Sequence, residues 1–321
     1  MRRLRWGILG TGGIARKFAG QLPQTAEGEL VAVGSRSLSS AKSFCAEFGG
    51  TPYGTYNDLL NAGDVDAVYI SLPNTLHATW SITALRRGKH VLCEKPLAAH
   101  ADEAAAMFAV ADETGRNLME AFMYRQQEPV QKVLDLVHGG AIGQTKLIRS
   151  HFTYCRPADP SDIRYQPELA GGSIMDVGCY CVNFARAIVQ AEPTGCHAIA
   201  HMFETGVDDY AAGTLNFDDR VLCVFTCGMS VFADRTTFIS GTEGFVAIEF
   251  PWMSRGSIRL VKGHDQEQLL SVPCSKGPYA LEADAFARVV LDGADPPITA
   301  ADTLGNMSVL DQLRRSAGLS Y

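Results

Sequence analysis

The chain has 321 residues, of which 46% are hydrophobic, and its formal net charge is −7 at pH 7. A chain of this length and composition can bury a substantial core and is long enough for two domains. The acidic balance leaves no basic surface for nucleic acid or for an anionic membrane, so we expect small-molecule partners.

The amino-terminal run MRRLRWGILGTGG predicts a first β-strand rather than a targeting or membrane segment. Its apolar stretch breaks into glycines after about five residues, which is too short for a signal peptide or a spanning helix. The nine cysteines are scattered and odd in number, which favours free thiols over a disulfide framework. We therefore expect a cytoplasmic protein.

The first 122 residues alternate between short β-rich runs and helix-like segments. The predicted strands are 4–9, 30–33, 67–70, 90–92 and 117–119, and helical patterns occupy 41–48, 75–87 and 101–114. Strands and helices taking turns indicate βαβ crossovers. The sequence predicts a Rossmann domain with a doubly wound parallel sheet over residues 1–122.

The pattern changes after Phe122. One helix is predicted near 128–138, followed by seven apolar or alternating runs at 145–154, 196–203, 209–217, 221–229, 236–239, 245–250 and 257–261. Short turns containing Gly or Asp join several of these runs, which is typical of an antiparallel sheet. Two further helices are predicted at about 280–291 and 300–316. We expect an α+β domain over residues 123–321, with a large, mostly antiparallel open sheet and with loops that form the substrate pocket.

The first strand leads directly into a glycine-rich loop, Gly10-Thr11-Gly12-Gly13-Ile14-Ala15. In this G-x-G-x-x-A pattern, Gly10 permits the tight turn, Gly12 lets the backbone approach a pyrophosphate, and Ala15 allows close packing of helix on strand. The helix that follows offers free N–H groups and the positive end of its dipole. This strand, loop and helix predict a dinucleotide site, the alternative being a turn that only resembles one.

The second strand ends in Val33-Gly34-Ser35-Arg36-Ser37, where an NAD site would offer Asp or Glu to the ribose 2′-hydroxyl. Arg36 can instead pair with a 2′-phosphate, while Ser35 or Ser37 adds a hydroxyl donor. A solvated surface arginine is the alternative. The missing acid and the arginine in its place predict NADP rather than NAD.

Two more stretches follow strands at the edge where the crevice of a doubly wound sheet opens. Ser71-Leu72-Pro73-Asn74 would turn the chain beneath the cofactor, and His77 would start the next helix facing the cleft, unless that histidine is purely structural. The second stretch is Glu94-Lys95-Pro96. We assign to the cofactor side of the site Leu72, Pro73, Asn74, His77, Glu94 and Lys95.

Asp176 and Tyr180 lie four residues apart after two glycines, which predicts a carboxylate and a phenol on one face of a helix. A phenol with its ordinary pKa near 10 is a poor base unless a nearby cation stabilises the phenolate. Lys95 is the candidate cation, so Tyr180 could accept a carbinol proton while hydride leaves for nicotinamide. Asp176 would orient the substrate or Lys95, unless both helix residues serve only packing and capping.

Four motifs together resemble the glucose–fructose oxidoreductase / inositol dehydrogenase / MocA family. In chain order they are Gly10-x-Gly12-x-x-Ala15, Pro73-Asn74-x-x-His77, Glu94-Lys95-Pro96 and Asp176-x-Gly178-x-Tyr180. The resemblance implies that Lys95 is catalytic and that a cis peptide bond precedes Pro96. It also implies that Asp176 and Tyr180 form the family's D-x-G-x-[HY] motif, with tyrosine where many inositol dehydrogenases have histidine.

Further stretches resemble one branch of that family, namely residues 120–125 (EAFMYR) and 164–172 (RYQPELAGG). The branch holds NADP-dependent D-xylose 1-dehydrogenases and trans-1,2-dihydrobenzene-1,2-diol dehydrogenases, although Gln126-Gln127-Glu128-Pro129 lacks the aromatic or histidine that relatives usually have there. The resemblance implies an NADP-dependent dehydrogenase acting on a carbinol of a sugar or cyclic polyol. It favours an aldose 1-dehydrogenase, with a dihydrodiol dehydrogenase as the alternative. A cofactor-binding regulator without turnover is the alternative of another class.

The remaining candidates concern substrate, metal and assembly. Residues expected on the substrate side are Lys95, Phe152, Arg164, Asp176 and Tyr180, with Phe152 as a wall or merely a sheet-face residue. His197 and His201 lie in a strand-like run without a third ligand, so we expect no metal. The resemblance implies a subunit interface on the open sheet, so the apolar strands 221–227 and 245–250 predict a homo-oligomer.

Overall fold

The computed structural model describes residues 2–218, 220–253, 256–263 and 266–319. Up to residue 123 its strands are β1 Leu4–Leu9, β2 Gly28–Gly34, β3 Thr51–Tyr53, β4 Ala67–Ile70, β5 His90–Glu94 and β6 Leu118–Ala121. The helices between them are α1 Gly13–Gln21, α2 Leu38–Phe48, α3 Tyr56–Leu60, α4 His77–Arg86 and α5 Ala101–Thr114.

The rest of the chain contributes four helices and eight strands to the described structure. The helices are α6 Glu128–His138, α7 Cys179–Val189, α8 Pro278–Asp292 and α9 Ala300–Ser316. The strands are β7 Thr145–Thr153, β8 Gly195–Met202, β9 Asp208–Phe217, β10 Val221–Gly228, β11 Thr236–Gly241, β12 Gly244–Glu249, β13 Ser257–Lys262 and β14 Gln266–Ser271. None of the described helices is long and apolar enough to cross a membrane.

The first unit contains six parallel strands in the order β3-β2-β1-β4-β5-β6. All four residues of β4, Ala67–Ile70, are buried, because helices cover both faces of a parallel sheet and central strands then read as continuous apolar runs. The strand order reverses between β1 and β4, and ligands of doubly wound sheets bind at that point. The predicted fold class is confirmed for this half. The short elements β3 and α3 were not predicted, because three to five residues carry too little periodicity.

The chain divides into two compact units, Met1–Met123 with Lys276–Leu304 and Tyr124–Ser275 with Gly305–Tyr321. The first boundary lies one residue from the predicted one, but the segment 276–304, which the sequence analysis placed in the second domain, belongs to the first unit. Helix α8 packs there: the Tyr279 N–H donates to Gln21 Oε1 at 2.9 Å, and the Phe286 and Trp6 rings lie 5.6 Å apart. The sequence of an amphipathic helix does not indicate which sheet the helix will cover.

The second unit holds an eight-stranded sheet in the order β14-β13-β12-β11-β7-β10-β9-β8. Its one parallel pairing in the described residues joins β7 to β10, and the other pairings are antiparallel. The prediction of a large, mostly antiparallel sheet is therefore confirmed. Strand β14 was missed because its sequence, QEQLLS, is polar and almost wholly exposed at the sheet edge.

One face of this second sheet stays open. Helix α7 packs on β7 and β10, and α6 packs on β12 and β13. Along β10, Leu222 and Val224 alternate with buried residues and are exposed. Leu222 pairs with the exposed Leu147 of β7, so both side chains point to the same face. The sheet thus presents an apolar surface that no described helix covers at these strands.

Candidate active site

The glycine loop of the first unit has the backbone conformation that a dinucleotide loop needs. Gly10 has φ +108°, a region that strongly favours glycine, and a Cβ there would lie 3.0 Å from the carbonyl oxygen of Ser71. Gly12 and Gly13 are exposed, and a Cβ at either would meet no described atom within 4 Å. Ala15 is fully buried in the first turn of α1. Open space therefore lies in front of a helix N-terminus that has no side-chain cap. Thr11 and Ile14 are half-buried beside it.

Arg36 is exposed after β2. Its charge reaches Tyr56, because it partly offsets the rise that burial causes in the pKa of that phenol. The Tyr56 ring packs edge-on against Trp80 at 4.8 Å. Ser37 caps α2 by accepting from the Ser40 N–H, and Ser35 is buried. An exposed guanidinium whose charge reaches Tyr56 suits a phosphorylated adenosine. The two aromatics were not singled out by sequence.

The sequence predicts that His77 faces the cleft, but the structure buries this side chain. It is fully buried, with Nδ1 2.9 Å from the carbonyl oxygen of Pro96 and Nε2 2.8 Å from that of Leu72. Burial lowers the pKa of His77 to about 4, so the ring is neutral at pH 7. A neutral ring has one N–H, so it donates to one of these carbonyl oxygens and only packs against the other. Pro73 and Asn74, next to Leu72, remain half-exposed.

Lys95 follows β5 and is half-buried, and the peptide bond between Lys95 and Pro96 is cis. Two buried acids hold the surrounding backbone. Glu94 accepts from the Lys95 N–H at 3.3 Å and from the Tyr69 hydroxyl, and Glu120 Oε1 accepts from the Leu97 N–H at 2.9 Å. The lysine thus stands on a loop that carboxylates fix on both sides. Glu120 and Tyr69 were not among the predicted site residues, because a buried acid in a strand has no sequence signature.

In the second unit, the segment that carries Asp176 begins with a π-helical turn, Ile174–Gly178, and continues as α7. The sequence predicts a regular α-helix here, whereas the structure has a wider π-helical turn of a kind often seen at functional sites. Asp208 fixes its start, because Oδ2 accepts from the Ser173 hydroxyl at 2.6 Å and from the Ile174 N–H at 2.7 Å.

Asp176 is held by two donors. The Tyr154 hydroxyl donates to Asp176 Oδ2, and Arg164 Nε lies 3.3 Å from the same oxygen. Arg164 also pairs with Asp162 at 3.1 Å. The Asp176 charge raises the pKa of Arg164, and together with burial it raises the pKa of Tyr154. The structure thus brings together the predicted residues Asp176 and Arg164, and it adds Tyr154.

Tyr180 lies in a cluster of aromatic rings. It is 5% exposed, with ring centroids at 5.1 Å from Phe152, 5.6 Å from Trp252 and 5.6 Å from Tyr124. Phe152 stacks on Trp252 at 5.4 Å with an interplanar angle of 11°. The phenol therefore sits in a largely apolar wall that also contains the predicted Phe152. Trp252 lies 72 residues further along the chain, so only the fold reveals it.

Two other features, a histidine–aspartate pair and a cavity, contain none of these residues. His201 Nδ1 lies 2.7 Å from Asp209 Oδ1, and within the ranges described no three His, Cys, Asp or Glu residues are grouped to hold a metal. A cavity of about 650 Å³ in the first unit is lined by residues that include Arg5, Asp66 and His90. These residues lie at the amino ends of the strands, whereas the glycine loop and Lys95 lie at the carboxyl ends, so this cavity holds none of the predicted site residues.

Two family models match the chain. The model described as an oxidoreductase family with an NAD-binding Rossmann fold matches residues 4–122, and that of the GFO/IDH/MocA C-terminal domain matches residues 130–247. The two matches occupy more than half of the chain and follow the two sheets described above.

Similar proteins extend over nearly the whole chain. D-xylose 1-dehydrogenase (NADP(+)) 2 of Haloferax volcanii is 35% identical, over 98% of this chain and 97% of that protein. Trans-1,2-dihydrobenzene-1,2-diol dehydrogenase of Xenopus laevis is 30% identical over 99% of both. The crystal structure of the 3-ketoreductase KijD10 from Actinomadura kijaniata, with NADP and TDP-benzene, is 31% identical, covers 98% of both chains and has a TM-score of 0.91.

Proposed function

The chain belongs to the glucose–fructose oxidoreductase / inositol dehydrogenase / MocA family of oxidoreductases, and on this premise we propose that it is an NADP-dependent aldose 1-dehydrogenase acting on a D-xylose-like sugar. One observation carries the proposal. Tyr180, a potential proton acceptor, lies in an aromatic wall in the same unit as Asp176, a carboxylate that Tyr154 and Arg164 hold in place.

The residues present fit NADP. The exposed glycines leave room for a pyrophosphate at the N-terminus of α1, and the exposed Arg36 suits a 2′-phosphate. The relative from Haloferax volcanii carries NADP in its name, and the ketoreductase structure was solved with NADP. NADP, when bound, supplies the nicotinamide ring that accepts or gives the hydride. Ser35, Arg36 and Ser37 would hold its adenosine end, and the glycine loop its pyrophosphate.

The chain's own residues have distinct tasks in the proposed reaction. Tyr180 accepts the proton of the sugar hydroxyl at C1, and Lys95 supplies a positive charge that favours loss of this proton. Asp176, fixed by two donors, accepts a hydrogen bond from a neighbouring sugar hydroxyl. Phe152 and Trp252 exclude water from one side of the phenol, which strengthens the charge interactions there. In the reductive direction, Tyr180 returns the proton to the carbonyl oxygen.

A sugar suits this mixture of groups, because its C–H face packs on aromatic rings while its hydroxyls bond to a carboxylate and a guanidinium. One observation favours a second candidate, a dihydrodiol dehydrogenase. Three aromatic rings surround Tyr180, and an apolar wall of that kind also accepts a flat cyclohexadiene ring. The relative from Xenopus laevis carries this second activity in its name.

A screen of purified protein tests the assignment. Aldoses, polyols and trans-dihydrodiols are each offered with NADP⁺ and with NAD⁺, and nicotinamide absorbance reports turnover. We expect D-xylose or a related aldose with NADP⁺ to give the highest kcat/KM. A dihydrodiol oxidised faster than every aldose would replace the first candidate by the second. No turnover with any of them, alongside measurable NADP binding, would favour a cofactor-binding regulator.

We further propose a homo-oligomer assembled through the open sheet. The exposed Leu147, Ile199, Leu222 and Val224 form an apolar surface of the kind that marks a protein interface. All nine cysteines are free, which agrees with the reducing setting of a cytoplasmic enzyme.

A further inference from the structure

Helix α8 places an unpartnered acid in the interior of the first unit. Glu282 is 1% exposed, and neither of its carboxyl oxygens has a hydrogen-bond partner among the described residues. A buried polar group without a partner is unfavourable and rare in native proteins. Packing alone does not account for it, because a leucine of similar volume would fill the same space.

Ring contacts link this part of α8 to β4: Phe286, one turn after Glu282, lies 5.6 Å from Trp6, Trp6 lies 5.3 Å from Phe18, and Phe18 stacks on Tyr69 at 3.8 Å. Three other titratable groups interact with Glu282 through their charges. They are Glu94 at the end of β5, Tyr69 on β4 and Tyr279 one turn before Glu282 on α8. Burial raises the pKa of Glu282 well above its ordinary value, and the charge of Glu94 raises it further. Burial and the charges of Glu94 and Glu282 also raise the pKa of Tyr279. The same causes raise the pKa of Tyr69. The region therefore resists a second negative charge.

The two carboxyls are not equivalent. Glu94 accepts from the Tyr69 hydroxyl and from the Lys95 N–H. Glu282 has no donor of this kind in the described structure. Two carboxyls that share a buried site cannot both ionise easily, and hydrogen bonds to one of them favour its charged form. Glu94 is accordingly the ionised member, and Glu282 keeps its proton.

We propose that Glu282 is a positioning residue of the Lys95 site, a neutral acid whose dipole stabilises the ionised Glu94 next to that lysine. It acts through Glu94, whose carboxylate accepts from the Lys95 N–H and, together with Glu120 on the neighbouring strand, places negative charge at the loop that carries the lysine. The inference rests on the proposed role of Lys95 in proton transfer. It explains why an acid, rather than an apolar side chain, lies on the buried face of α8.

Two substitutions separate this role from packing. Glu282→Gln keeps a neutral polar group, so the pH profile of kcat/KM should overlay the wild-type profile. Glu282→Leu removes the dipole, which raises the pKa of Glu94 and moves the acid limb to higher pH. We expect a move of about one pH unit, hence about tenfold lower kcat/KM on that limb, with NADP affinity unchanged. Asp284→Asn is the matched control: Asp284 lies on the same helix but accepts from the Ala26 N–H at 3.0 Å and pairs with Lys276, so its loss should lower stability and leave the limb in place.

Two kinetic results would overturn the inference. If Glu282→Gln moves the acid limb downward by a unit, Glu282 is ionised in the wild type, because removing a negative charge lowers the pKa of its neighbours. If Glu282→Leu changes only the melting temperature, the residue is purely structural.

A measurement without turnover keeps the test independent of the proposed enzyme activity and of the folding of the leucine variant. An infrared difference spectrum between wild type and Glu282→Gln at pH 7 should contain the C=O stretch of a buried, protonated carboxylic acid. A wild type that lacks this band would sink the inference even where the dehydrogenase assignment holds. If the band is present but the protein oxidises no sugar or diol, Glu282 is still a neutral acid, but its proposed role in the reaction through Lys95 is wrong.

Discussion

His77 ties the helix α4 to the loop of Pro96, since its Nδ1 lies 2.9 Å from the Pro96 carbonyl oxygen. Because its other ring nitrogen contacts the Leu72 carbonyl oxygen, one buried imidazole spans the two loops that flank the proposed nicotinamide site. A histidine of the glycine-loop domain thus acts on loop geometry rather than on substrate. That arrangement makes the stability of the first unit depend on pH.

The pKa of His77 is about 4 in the folded chain and near 6.5 when unfolded. The unfolded state therefore binds more protons between these values, and the contribution is complete above pH 6.5 and lost as pH falls to 4. His77 should remove about 3 kcal/mol of stability over that window. Denaturant unfolding at pH 7 and pH 4.5 measures this loss of unfolding free energy, which should be smaller in His77→Gln. A His77→Gln variant that loses as much stability as the wild type between pH 7 and pH 4.5 would contradict the assignment.

Arg36→Ala should discriminate between the two cofactors. Losing a charge-assisted contact of about 1.5–3 kcal/mol weakens NADP binding by roughly 10- to 100-fold, while NAD affinity changes little. Fluorescence titration with both cofactors measures the ratio. Arg116→Ala removes another exposed arginine of the same unit, just before β6, and should leave both affinities intact. Equal losses for NADP and NAD in Arg36→Ala would show that the arginine does not read the 2′-phosphate.

Lys95→Met and Tyr180→Phe should each lower kcat by about 10²- to 10⁴-fold, because each removes a group of the proposed proton transfer. NADPH binding should stay measurable in both variants, which separates catalysis from folding. Lys42→Met, an exposed lysine on α2, is the control for loss of a positive charge. Full turnover in Lys95→Met would refute the proposed mechanism.

Tyr154→Phe should loosen Asp176 without removing it. The variant loses one hydrogen bond to the carboxylate, worth about 1 kcal/mol, so kcat/KM should fall roughly fivefold. Tyr165→Phe is matched, because the Tyr165 hydroxyl is buried and has no hydrogen-bond partner among the residues the structure describes. If both variants lose activity equally, the effect comes from packing and not from Asp176.

Leu222→Glu should dissociate the proposed oligomer. A charge in the middle of an apolar interface is costly unless it finds a partner, whereas the exposed Leu269 at the edge strand β14 tolerates the same change. Light scattering coupled to size exclusion gives the mass of each variant. A wild type that already runs as a monomer would remove the assembly from the proposal.

Much of the fold could be predicted because its signals are local. Alternating strands and helices indicate the parallel sheet, and Gly10 with Gly12 indicates the loop after β1. The acids and rings around the site carry no such signal: the charge of Glu94 acts on Glu282 across 188 residues of sequence, and Trp252 stacks on Phe152 across 100. The π-helical turn at Asp176 depends on the Asp208 side chain, which belongs to a distant strand. Long-range contacts of this kind appear only once the chain is folded.

The return of α8 to the first unit has a consequence for synthesis on the ribosome. Trp6 is made 280 residues before one of its ring partners, Phe286. During synthesis the first unit therefore lacks helix α8 until all strands of the second sheet have been translated. A gene fragment that stops at residue 123 should yield an aggregation-prone product, whereas joining 1–123 to 276–304 through a short flexible linker restores the missing helix.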